Sequence, residues 1–166
     1  MDQSSYSSYD HCSILKTILR FFGRVAIATI FILAGIGKFL HPDAKSIYMA
    51  SKGMIMIPFF LYSVAILEIL GGLSLLIGYK TRWGALILML FLIAATVIFH
   101  DFWNQGPVEA EMQKIHFLKN LAILGGLLYV MACGAGRWSI DRFLYNKELP
   151  PVQNSLFNLN LIHNRH

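Results

Sequence analysis

Ile57–Tyr79, IPFFLYSVAILEILGGLSLLIGY, is apolar along its length apart from one charged side chain, Glu68, close to its middle. At ~1.5 Å per helical residue the run crosses a ~30 Å hydrocarbon layer, so it reads as a transmembrane helix. A carboxylate at that depth has no water to solvate it and is costly unless paired, protonated or turned to a cavity. Gly71 and Gly72 follow three and four residues on, on the Glu68 face, and let a second backbone come close. One small, polar side of this helix is therefore directed at other helices. The chain is organised around what meets it.

The whole 166-residue chain carries the same signature. It is 56% hydrophobic and 14% charged, with a mean hydropathy of +0.56, which excludes an ordinary soluble domain. The formal charge is +5, but no dense basic block supports nucleic-acid binding. Lys and Arg fall mostly in short segments between apolar runs and read as topology signals. The two cysteines, Cys12 and Cys133, lie far apart and in no CxxC pattern. That spacing indicates no disulfide framework, no metal site and no covalently attached haem. No small-x-small cleavage site follows the first apolar run, so a retained helix is expected rather than a removed signal peptide.

The expected fold is an all-α polytopic membrane protein, a bundle of four transmembrane helices over residues 19–142. A Ser- and Tyr-rich cytoplasmic arm without regular structure is expected over 1–18, and a polar cytoplasmic tail over 143–166. The first span is read as Leu19–Leu40, ended by His41-Pro42-Asp43. Its positions Arg24, Ala28, Phe31, Gly35 and Lys38 form one helical stripe, small and cationic, a natural partner for the Glu68 face. Ala44–Ile57 reads as a short amphipathic piece at the interface. The turn Gly78–Arg82 closes the second span. The third is read as Trp83–Trp103, with a Trp at each interface, then a polar, acidic loop over Asn104–Ile115. The fourth is read as His116–Gly134. Nine Lys and Arg lie on the side of the termini and five on the other, which places both termini in the cytoplasm and the protein in the inner membrane.

In that topology Lys38, His41, His100, Asp101, His116, Lys119 and Asn120 converge at one membrane face, with Glu68 deeper. His116 and Asn120 share a face of the fourth helix, and His100 shares a stripe with Thr96 and Ile93. Such a cluster suits a quinone, whose carbonyls need donors near the interface, with Glu68 as an internal proton acceptor and an apolar slot for the tail. A proton or ion path also uses buried Glu and His, but four short helices leave little room for alternating access. A haem between His100 and His116 is disfavoured by their place at the membrane edge. A metal on His100, Asp101 and His116 has the right atoms without a diagnostic spacing. The structural alternative is that Glu68 pairs with Arg24, Lys38 or Lys119 and fixes helix register, while His41, His116 and Lys119 solvate helix ends.

Gly35-x-x-Lys38-x-x-x-Pro42, Glu68-x-x-Gly71-Gly72, Gly78-x-x-Thr81-Arg82, Phe99-His100 and Lys119-Asn120-x-x-x-x-Gly125-Gly126 occur in that order. Over roughly residues 20–142 the chain resembles the DoxX family of small four-helix membrane proteins. That family is named for a subunit of an archaeal terminal quinol oxidase, and some of its members associate with thiosulfate or thiol redox systems. The resemblance implies polar positions at Lys38, Glu68, His100, Lys119 and Asn120. The lack of a CxxC argues against dithiol chemistry in this chain. The leading expectation is thus a quinone-linked redox accessory subunit with ligand-binding candidates Lys38, Glu68, His100, Lys119 and Asn120, and Arg24, His41 and His116 behind them. Its partners are the lipid bilayer and membrane redox or respiratory proteins. The alternative is a non-catalytic scaffold held by a Glu68 ion pair, and the third reading is a small-solute or ion transporter.

Overall fold

The computed structural model describes the backbone of residues 3–148 and the side chains of residues 14–147. The expected tail therefore lies outside the described residues from position 149 onward. The elements are α1 (Gln3–Leu40), α2 (Pro42–Ser51), α3 (Ile57–Ile77), α4 (Thr81–Phe99), a 3-10 turn (Phe102–Asn104), α5 (Pro107–Cys133) and α6 (Ile140–Glu148). Four stretches, Ile14–Leu40, Ile57–Ile77, Thr81–Asn104 and Pro107–Cys133, are long and apolar enough to cross a membrane. Over the described residues the protein is a four-helix transmembrane bundle with two short accessory helices.

Local chemistry sets the helix ends. α2, α3 and α5 each carry Pro at the first or second position, where the missing N–H removes no intrahelical bond. Gly78, at φ 74, closes α3, its N–H and that of Tyr79 both donating to the Ser74 carbonyl. Three boundaries depart from the sequence reading. α1 is helical from Gln3, well ahead of Leu19, because a helix already nucleated in the membrane propagates at low cost into flanking polar residues. α5 starts at Pro107, so most of the expected Asn104–Ile115 loop is helix. Pro107 at its start and Glu109 in its first turn both favour that beginning. α6 occupies part of the expected polar tail.

α1 packs chiefly against α3, α3 against α4 and α4 against α5, and α1 meets α5 to close the ring. Ala28, Phe31, Leu75, Ala85, Leu88, Leu92, Leu127 and Val130 form the central core. The α1 stripe read from the sequence is its buried seam: Arg24, Ala28 and Phe31 are at most 3% exposed. Close approach of α1 and α3 depends on Gly35 and Gly72. A Cβ at Gly35 would meet the Ala65 carbonyl at 2.8 Å and Ile69 at 2.7 Å. Gly35→Val is expected to separate the two helices and lower stability by about 1–3 kcal/mol. The check is the melting temperature in detergent, and an unchanged value would show that the seam tolerates the branch.

The two ends of the bundle are tied differently. At one, α2 is fastened by the Tyr48 hydroxyl donating to the Phe99 carbonyl at 2.6 Å and by the Lys52–Asp101 ion pair. At the other, the Asp141 carboxylate at the start of α6 accepts the N–H groups of Lys80 and Thr81 at 2.7 and 3.0 Å. An N-cap for α4 is thus supplied by a residue sixty positions away.

Candidate functional site

Lys38 sits in the last turn of α1, and Glu68 lies near the middle of α3. The close contact at Gly35 brings these helices together, and Lys38 Nζ reaches Glu68 Oε2 at 2.6 Å, the side chains being 19% and 5% exposed. Of the three cations considered as partners for Glu68, Lys38 is the one beside it. Two buried opposite charges attract strongly in an apolar medium, and each is costly there without the other.

The pair stands in the wall of a cavity of about 480 Å³. Phe31, Leu61, Val64, Phe91 and Leu92 supply apolar wall, and Met49 and Met54 close it from the α2 side. Its polar groups are Lys38, Glu68, His100 and Asn120, joined by Lys45 and Tyr48 from α2. Four of the five leading candidates therefore share one space. Asn120 donates to Thr96 Oγ1 at 2.9 Å, and Thr96 in turn donates to the Leu92 carbonyl. The imidazole of His100 meets Gln113 Oε1 through Nδ1 at 2.8 Å. An amide oxygen can only accept, so Nδ1 is the donor. Gln113 Nε2 donates to the Tyr48 hydroxyl at 3.3 Å, which closes a polar link between α2, α4 and α5.

The remaining candidates are not at the cavity. His116 stacks on His100 with ring centroids 5.2 Å apart, behind the wall. Lys119 lies on the exposed surface of α5, and His41 is exposed at the α1–α2 junction. Arg24 is at the other end of the bundle, about 21 Å along α1 from Lys38 at ~1.5 Å per residue. There it donates to the carbonyls of Ala135 and Trp138 at 2.6 and 2.7 Å. Asp101 is engaged by Lys52 and Gln105. Three residues of the site were missed by sequence reasoning. Lys45 and Tyr48 lie on α2, which was read only as an interfacial piece. Gln113 lay in a presumed loop, although Pro107 followed by acidic residues signals a helix start.

The sequence profile of the DoxX family matches residues 19–101. Inner membrane protein YqjF of Escherichia coli is 36% identical over 125 residues, which is 75% of this chain and 90% of that protein. Inner membrane protein YphA of the same organism is 28% identical over 127 residues, 76% of this chain and 91% of that protein. The ER-derived vesicles protein ERV29 of Saccharomyces cerevisiae is 36% identical over 76 residues, 46% of this chain but 24% of that protein. No solved structure matches the chain. The profile match spans the Lys38 and Glu68 helices and ends just past His100, and with a bacterial relative aligned over nine-tenths of its length it settles the lineage: the chain belongs to the DoxX family.

Proposed function

We propose that the chain is a quinone-linked accessory subunit of a membrane redox assembly, seated in the inner membrane with both termini in the cytoplasm. The observation that carries this reading is an ion pair, Lys38–Glu68, set in the wall of an otherwise mostly apolar cavity that also holds His100 and Asn120. A volume of about 480 Å³ falls in the range of sites for small ligands. The polar groups suit both redox forms of a quinone head. Lys38 and Asn120 are donors for the carbonyls of the oxidised form. Glu68, and His100 through the nitrogen opposite Gln113, are acceptors for the hydroxyls of the reduced form. A bound quinone supplies two-electron, two-proton chemistry, while the residues of this chain hold the head group and exchange its protons. The sequence has no motif for an electron-transfer group of its own, so electrons are passed by a partner protein. The inner-membrane assignment is supported by the names of the two bacterial relatives, and the orientation by the distribution of Lys and Arg.

The test is titration of a short-chain quinone into the purified protein in detergent. Asn120→Leu and His100→Ala each remove one hydrogen bond and are expected to weaken binding about three- to tenfold. Identical binding by wild type and both variants would remove these groups from the site.

One observation favours a second reading. Lys38 and Glu68 satisfy each other directly, as a pair that only fixes the register of α1 on α3 would. In that case the chain is a scaffold for other membrane proteins and carries no ligand.

A further inference from the structure

At the end of the bundle away from the cavity, the start of α4, the α5–α6 turn and α6 border a second, open hollow of about 410 Å³. Among the described residues, Lys80 and Arg82 line it beside the carboxylate of Asp141, and Arg142 borders it. Both oxygens of that carboxylate already accept backbone N–H groups, those of Lys80 and Thr81. Lys80 and Arg82 therefore outweigh Asp141 among the described residues there, and that side of the hollow is positive. Arg82 has one long contact, 3.4 Å to the Ala132 carbonyl, for a group with five donors.

The surroundings say what kind of anion fits. Trp83 and Tyr145 stand at the rim, 66% and 50% exposed, and rings of this kind favour the depth of lipid head groups. Trp83, Ile87 and Leu90 follow at helical spacing down the outer face of α4, all exposed. An apolar track thus leads from the hollow toward the bilayer centre.

We propose that this hollow binds the phosphate of an anionic membrane phospholipid, held by Lys80 and Arg82, with acyl chains along Trp83, Ile87 and Leu90. Basic pockets between transmembrane helices take anionic head groups in this way. A soluble phosphate ester would use the same cations but would have no use for the track. The assignment is independent of the redox reading, since it shares no residue with the Lys38–Glu68 cavity.

The experiment is native mass spectrometry of the full chain in detergent, titrated with phosphatidylglycerol or phosphatidylcholine, with inorganic phosphate as competitor. Wild type is expected to retain phosphatidylglycerol at least tenfold better than phosphatidylcholine. Lys80→Gln and Arg82→Gln, both at exposed positions, should each weaken that retention about fivefold. Equal retention of the two lipids by wild type would overturn the proposal without reference to any variant. Displacement by millimolar inorganic phosphate would also overturn it, in favour of a soluble phosphate.

Discussion

Lys38→Met lowers the stability of the bundle by about 3–5 kcal/mol, and adding Glu68→Leu restores most of the loss. Removing one member of a buried ion pair leaves an uncompensated charge, whereas replacing both by apolar groups is often near neutral. The two single variants should not be equal. Glu68 is 4% exposed near the middle of α3, on a short side chain that cannot reach an interface. Lys38 is two residues from the last helical residue of α1, and its long stem can carry the ammonium toward the membrane surface. A lone carboxylate is therefore stranded more completely than a lone lysine, and Lys38→Met should cost more than Glu68→Leu. Reversible unfolding in mixed micelles across the four-member cycle measures this. Small, additive effects would mean that the charges are not coupled in the folded protein.

Arg24→Met should cost a similar amount by a different route. Arg24 is 2% exposed, and its guanidinium donates to two carbonyls in the α5–α6 turn, those of Ala135 and Trp138. Hydrogen bonds from a charged donor contribute about 1.5–3 kcal/mol each, so losing both costs about 3–6 kcal/mol. The consequence extends past the turn. Asp141 follows directly and caps α4, so loosening the turn withdraws that cap. Arg24→Met should expose residues 134–148 to protease and speed their amide exchange while leaving the cavity end unchanged. Arg24→Lys should rescue only in part, because a point charge replaces a planar fork. Wild-type protection of 134–148 in both variants would contradict this role.

The sequence made the membrane spans legible because each is a long apolar run, and hydrophobicity is summed locally. It also exposed the α1 stripe, since helical spacing alone aligns Arg24, Ala28, Phe31, Gly35 and Lys38. The partners along that stripe were less legible. Arg24 and Lys38 were equal candidates for Glu68 until the Gly35–Ala65 contact fixed the register of α1 on α3. Arg24 instead bonds backbone carbonyls more than a hundred residues away, and a carbonyl has no sequence signature. The cap that Asp141 gives α4 was hidden for the same reason. The site was read in its deep half, Lys38 and Glu68, and at His100 and Asn120. Its α2 rim was missed because α2 is short and only weakly amphipathic, so nothing local shows that Tyr48 turns toward Phe99 and Gln113.

On the proposed reading, the cavity beside Lys38 and Glu68 holds a quinone. The direct measurement is mass spectrometry of organic extracts from gently purified protein, with wild type beside Ala95→Phe. Ala95 lines the cavity without contributing to the ion pair, so the larger side chain fills the space and leaves the charges in place. Near-stoichiometric quinone from wild type, lost from an Ala95→Phe protein of unchanged melting temperature, is the predicted result. Absence of quinone from the wild-type extract would contradict it and leave Lys38–Glu68 as a structural lock between α1 and α3.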